Sequence, residues 1–492
     1  MKSSSRLVSW TAGTALWLVL APLACDDGEV DGGDADASVT DDATTNDASN
    51  VPDAREDAAS HADANANPDA NVEPDANVDP DAGVADDAGD LDAAAEDDAG
   101  DAAVADDAGD AAVEPVDPSD EIFAADRFPH FELELDAAAI ADLSSTSNDP
   151  KLWVKGRFRY GDEVFEDVSV RRKGSSTYRA LPKKASLKIR FNKGAAHKER
   201  RFHGLTDLTL NNGVSDGSFL AERLAYYTHA ALGLPASRAN SARLSINGQN
   251  YGVYVNVETA NENLIQRIYG QGEGERTLYE LATGDWSVGT RALFDEEVGD
   301  GSLADVDTLL ATVDAARPAH LLEDTATVLD IDKWLGHCAA EAITGHHDGY
   351  AYGKWGSHNY HMSAGPDGRF SLLPWSTDLT HTNNNGTPNA NTPGTANVPD
   401  NGRKTLLQKC KADATANGCW ARYKTVVSAS LATVAGLNLE ALAHTWHDQI
   451  DAAVRADPKK ELSNGGYDGE TNKLYAWILA RPALVRTQLG LP

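Results

Sequence analysis

Between residues 26 and 120 the chain has almost nothing with which to build a core. The stretch is written in Asp, Ala, Asn, Val, Pro and Gly, in recurring units such as PDAN, PDAG and DDAG, and has no aromatic residue. It carries 32 Asp and Glu against a single basic residue, Arg55. Ordering a backbone costs on the order of 1 kcal/mol per residue, and this segment has too little apolar surface to offset that. A disordered, self-repelling acidic linker is expected. Its use is either a solubilising tether or weak calcium binding by clustered aspartates, and no EF-hand or glycine-nonapeptide spacing supports the second. The whole chain has a formal net charge of −35, so nucleic acid is not an expected partner.

Ahead of this linker, residues 1–25 have the layout of an export signal. Lys2 and Arg6 precede an apolar run over 12–24 that is too short to span a membrane. The run ends in Pro22, Leu23, Ala24 and Cys25. A cysteine at that boundary points to a lipid anchor and a place in the cell envelope, with ordinary secretory cleavage as the alternative. Membrane attachment is expected only through Cys25.

Folding therefore falls to residues 121–492, about 370 residues, enough for one large domain or two lobes around a cleft. Alternation of apolar and polar residues predicts strands over 131–135, 152–160, 164–170, 185–191 and 205–211. A helix is expected over 218–232, ended by Gly233 and Pro235, and then a hairpin turning at Asn247 and Gly248. Helical periodicity dominates afterwards, over 303–315, 331–344, 421–435, 439–456 and 471–489. The class is α+β, with a strand-rich amino half and a helical carboxyl half. The Asn-, Thr- and Pro-rich run 382–400 is either disordered or a lid. Cys410 and Cys419 flank a polar loop and form a plausible disulfide, while Cys338 reads as a buried thiol.

Chemistry concentrates in 347–378, HDGYAYGKWGSHNYHMSAGPDGRFSLLPWSTD. Asp348, Asn359 and Asp378 surround a strand-like run, 370–375. Phosphoryl transfer from a nucleotide uses such a set: one carboxylate to position a hydroxyl, another with an amide oxygen to hold a divalent cation. Upstream, a strand ending at Gly174 and Ser175 leads to a lysine-bearing strand with Lys184 and Lys188. That arrangement suits phosphate binding or, equally, a solvated basic hairpin. No Walker-type loop, GxSxG or HExxH motif occurs. The histidines at 337, 346, 347, 358, 361 and 381 leave a zinc hydrolase as a minor alternative.

The order RRKGSST, KKASLKIRF, LSINGQNYGVYVNVE, HHDGY, HNYHM, FSLLPWSTD, with a closing ETNKLYAWILARPALVRTQLG, resembles the spore coat protein H (CotH) kinase-like family over roughly residues 125–490. The resemblance implies an atypical, two-lobed protein-kinase-like fold acting outside the cytoplasm. It would phosphorylate Ser or Thr of protein substrates using ATP and Mg²⁺ or Mn²⁺. Matched position by position, Asp348 would be the catalytic base, and Asn359 and Asp378 metal ligands. Lys184 or Lys188 would meet the phosphates beside Gly174 and Ser175, with Glu222 or Glu258 as the acidic partner. One departure stands out: the family's W-D-x-D reads Trp375, Ser376, Thr377, Asp378 here. A hydroxyl replaces a carboxylate, so a catalytically silent surface-binding module is the competing expectation.

Overall fold

The computed structural model describes residues 117–492 apart from 148, 150, 271–275, 355, 383–386 and 394–404. The export-like segment, nearly all of the acidic linker and most of the 382–400 run lie outside these residues.

Seven strands come first: β1 (His130–Glu134), β2 (Val154–Tyr160), β3 (Glu163–Lys173), β4 (Ser186–Arg190), β5 (Asp207–Asn211), β6 (Ala239–Ile246) and β7 (Gln249–Val257). They close into a barrel in the order β1-β2-β3-β4-β5-β7-β6, sealed by a parallel pairing of β1 with β6. Period-two alternation makes this possible, because one set of side chains must fill the lumen while the other faces out. Leu187, Ile189, Leu208 and Leu210 point inward with Phe131, Phe158, Phe191 and Phe202, all fully buried. Phe158 packs against Phe191 and Phe202 with ring centroids 5.1 Å apart in each case. The expected hairpin between β6 and β7 turns at Asn247 (φ 50°) and Gly248 (φ 74°), the left-handed pair that such a two-residue turn requires.

The carboxyl half is not helical alone. A four-stranded antiparallel sheet, β11-β10-β8-β9, is formed by β8 (Thr277–Thr283), β9 (Asp295–Val298), β10 (His358–Ala364) and β11 (Phe370–Pro374). Only β11 was expected. In β10 every residue from Asn359 to Ala364 is buried, so the strand shows no alternation to read. Around this sheet the helices Ile331–Thr344, Cys419–Gly436, Leu439–Arg455 and Asn464–Leu489 share a core that includes Trp334, Tyr423, Ile450 and Tyr467. The last helix starts seven residues before its expected position, where Ser463 caps it by accepting from the Gly466 N–H. Cys410 and Cys419 form a disulfide, and Cys338 is a buried thiol.

Candidate functional site

Cross-strand register places Lys173 opposite Ser186, and Leu187 opposite Leu210. The inward leucines therefore leave Lys173, Ser186 and Asn211 side by side on the outer face of the barrel. The Lys173 ammonium donates to Asn211 Oδ1 at 3.0 Å, and Asn211 Nδ2 donates to Glu222 Oε1 at 2.8 Å. Glu222 lies in the first turn of the helix Ala221–Ala231, whose start is fixed by Asp216 accepting from the N–H groups of Ser218 and Ala221. Gly174 follows Lys173 with φ 101°, a conformation that favours glycine, and a Cβ there would meet Thr177 Oγ1 at 2.8 Å.

The other wall comes from the end of β11. Ser376 adopts φ 47° and throws the chain into the short turn Thr377–Leu379. Thr377 Oγ1 donates to the Glu222 carbonyl and Thr380 Oγ1 to the Ala221 carbonyl, each at 3.2 Å. This docking brings Asp378 beside Glu222. Asn359, itself at φ 50°, donates through Nδ2 to the Asp348 carbonyl (3.0 Å) and to Asp348 Oδ2 (2.8 Å). Lys173, Gly174, Thr177, Ser186, Asn211, Glu222, Trp375, Ser376 and Asp378 line a cleft of about 500 Å³, counting its solvent-filled mouth.

Like charges crowded in a poorly solvated space resist ionisation. Burial pushes Asp348 up to about 7, with the charge of Asp378 adding to the effect. Burial likewise pushes Glu222 up to about 8, again helped by Asp378 and opposed by Lys173. Asp378 is raised for the same reason, with Ser376 Oγ donating to it at 3.2 Å in the opposite sense. Two perturbed carboxyls facing one lysine across a cleft, with a third that feels the Asp378 charge, fit a centre that handles protons or cations. Among the described residues no three His, Cys, Asp or Glu side chains converge on one metal position. A dedicated protein cage is not what Mg²⁺ uses, since it takes one or two carboxylates and completes its shell with phosphate and water. Asp378 and the Asn359 amide, whose Nδ2 is spent on Asp348 and whose Oδ1 is left to accept, are hard oxygen donors of that kind.

The lysines expected at the phosphates stand elsewhere. Lys184 has φ 66° at the end of the turn before β4, which takes it out of the alternation it was expected to share with Lys188. Its ammonium donates to Asp457 Oδ2 at 2.5 Å with both side chains buried, and it lies over the rings of Phe219 and Tyr254. Lys188 is buried on the outer face between Arg171 and Thr209, one step along β4 from Ser186, and does not line the cleft. Glu258 is held by Arg238 and Arg267 at 2.7 and 2.6 Å, away from the cleft, whereas Glu222 lines it. Ser175 sits in the turn beyond Gly174 and accepts from the Tyr178 N–H. The residues not anticipated are Lys173 and Asn211. Their signal was present, because Lys173 is the last residue of a strand that breaks at Gly174. Burial holds His347 down to about 4 and His381 to about 3, so both pack as neutral rings.

These shifts make stability depend on pH. Glu222 has its folded pKa raised, so the stability tied to its protonated form is complete below the unfolded value and lost as pH rises through about 8. In metal-free buffer the wild-type chain is expected to lose about 2 kcal/mol between pH 6 and 8 from this group alone. Glu222→Gln should flatten that slope, read from urea midpoints at the two pH values.

Comparison with known proteins adds a family to this geometry. The model of the family described as CotH kinase protein matches residues 170–485. The inner spore coat protein H of Bacillus subtilis (strain 168) is 23% identical over 209 residues, covering 40% of this chain and 55% of that protein. The chain thus spans about half the length of the curated relative it matches.

Proposed function

Because the chain belongs to the CotH kinase protein family, we propose that it is a metal-dependent protein kinase that moves the γ-phosphoryl group of ATP to Ser or Thr side chains of extracytoplasmic proteins. The fold would be an atypical, two-lobed kinase-like one. The observation that carries this reading is a cleft lined by Lys173, Glu222 and Asp378, with the Asp348–Asn359 pair close enough for Asp348 to feel the Asp378 charge. Export, and attachment to the envelope through Cys25, belong to the same proposal and rest on the layout of residues 1–25.

In this scheme the acceptor hydroxyl oxygen bonds to the γ-phosphorus while the bond to the bridging oxygen breaks and ADP leaves. Asp348 takes the hydroxyl proton, and a carboxyl titrating near 7 is suited to accepting it at neutral pH. Lys173, rather than Lys184 or Lys188, meets the phosphates, steadied by Asn211. Gly174 lets the backbone approach them closely. Asp378 and Asn359 would hold Mg²⁺ or Mn²⁺, which when bound neutralises phosphate charge.

One observation favours a second reading, that of a silent binding module. Ser376 puts a hydroxyl, 3.2 Å from Asp378, where the family pattern has a carboxylate. Incubating the purified chain with labelled ATP, Mg²⁺ or Mn²⁺ and a Ser/Thr-rich acceptor separates the two. Label on hydroxyl side chains, lost with EDTA, supports the kinase. No label, together with no metal-dependent binding of ATP, supports the module. Lys173→Met is expected to raise KM for ATP by about 10- to 100-fold, the loss of a charge-assisted contact to phosphate. Lys188→Met should leave KM near its wild-type value.

A further inference from the structure

Asp348 sits in a turn that is held from behind by a carboxylate with no part in the chemistry above. Glu341, near the end of the helix Ile331–Thr344, is fully buried. Its Oε1 accepts from the Tyr350 N–H at 2.7 Å and its Oε2 from the Ala351 N–H at 2.6 Å. His337, one helical turn earlier, reaches Oε1 through Nε2 at 3.1 Å. The helix ends on Gly345 at φ 69°, with the N–H groups of Gly345 and His346 both donating to the Glu341 carbonyl. The chain thus doubles back immediately over the side chain that clasps it. Gly349 lies against that carboxylate so closely that a Cβ would fall 2.4 Å from Oε1.

Burying an ionised carboxylate costs several kcal/mol unless it is well satisfied, and an apolar side chain of similar volume stabilises a core at least as well. Partners on both Glu341 oxygens meet the first condition. His337 and the backbone N–H groups hold the group ionised against the effect of burial. The second condition leaves a purpose to be found. Glu341 does not line the cleft, and its charge adds only a smaller share to the raised pKa of Asp348; what it holds is the pair of peptide groups that follow Gly349 and Tyr350. On the opposite side Asn359 pins the Asp348 carbonyl and Oδ2. The turn is also closed by the Lys354 N–H on the His347 carbonyl and the His358 N–H on the Gly349 carbonyl.

We propose that Glu341 is the positioning residue for Asp348: by accepting from the N–H groups of Tyr350 and Ala351, its carboxylate fixes the backbone turn that holds Asp348 near Asp378. The catalytic half of this statement rests on the reading of Asp348 as the base. A reacting group misplaced by about 1 Å loses about 100-fold in rate. Glu341→Ala, which removes both acceptors, is therefore expected to lower kcat by about 10- to 100-fold with KM for ATP unchanged. Glu341→Gln keeps one acceptor oxygen and should fall between Ala and wild type.

The test pairs kinetics with amide hydrogen exchange on the peptide spanning 346–352. Full-chain wild type, Glu341→Gln and Glu341→Ala are compared, with the stoichiometry of ATP binding reporting the folded fraction. Faster exchange at Tyr350 and Ala351, with kcat reduced and stoichiometric ATP binding retained, is the expected result. Unchanged exchange in both variants overturns the proposal, as does faster exchange with unchanged kcat. Should Glu341→Ala fail to fold, Glu341→Gln carries the same comparison. A wild-type chain that transfers no phosphate sinks the kinase reading and with it the catalytic half of the proposal. Exchange in that chain and its variants still decides whether the carboxylate holds the turn.

Discussion

Asp348→Asn is expected to remove phosphoryl transfer, lowering kcat by about 10³-fold, while the protein stays folded and still binds ATP. The amide has nearly the shape of the carboxyl it replaces, but it cannot take the acceptor's proton. Stability should not suffer at neutral or mildly alkaline pH, because burial and Asp378 already oppose the charged form of Asp348 and hold its pKa near 7. Substitution at Asp378 should act differently. Asp378→Asn removes a proposed cation ligand, so its loss of rate should come with weakened dependence on Mg²⁺ or Mn²⁺. It should also bring the pKa values of Asp348 and Glu222 down, since both feel the Asp378 charge. The check is single-turnover transfer from labelled ATP across metal concentrations. If Asp348→Asn retains wild-type rates, the assignment of the base is wrong whatever the other residues do.

The second large effect concerns stability. Lys184 and Asp457 form an ion pair buried on both sides, 273 residues apart in sequence. Removing one partner of such a pair strands the other charge, at about 3–5 kcal/mol. Asp457→Ala should cost that much, because burial already disfavours the charged Lys184, and Asp457 also accepts from the N–H groups of Val253, Lys459 and Lys460. Lys184→Met should cost less, since those three N–H groups still serve the carboxylate. Neither change should move KM for ATP. A lysine that met the phosphates would give the reverse pattern, with binding lost and denaturation midpoints little changed.

How much of this was legible beforehand depends on what each residue answers to. The barrel strands alternate because one face is apolar and the other is not, and that pattern is local, so five of them could be located by it and the other two as a hairpin around Asn247 and Gly248. The 331–344 helix and the Cys410–Cys419 disulfide were readable for similarly local reasons. Strands β8 and β10 lie in a sheet covered on both sides, which erases alternation. Asp348, Asn359 and Asp378 stood out because two carboxylates and an amide surround a strand-like run, the set that phosphoryl transfer uses. The choice of lysine was not local. Lys184 and Lys188 look like Lys173 in sequence, and only a left-handed residue at 184 and a buried aspartate far down the chain separate them. Glu341 gave no signal, because a glutamate inside a helix is unremarkable until the turn it holds has folded back over it.

The clasp of Thr377 on the Glu222 carbonyl, across 155 residues of chain, has a further meaning for when this molecule becomes competent. Contacts so distant along the polymer close late, after the entropy of a long loop has been overcome. Glu222 and Lys173 belong to segments that can condense early, whereas Asp378 reaches them only when the sheet carrying it has docked. A nascent chain therefore owns every residue of the site without owning the site. Reactivity would arrive at the end of assembly, so an unfinished copy would stay inert toward whatever surrounds it.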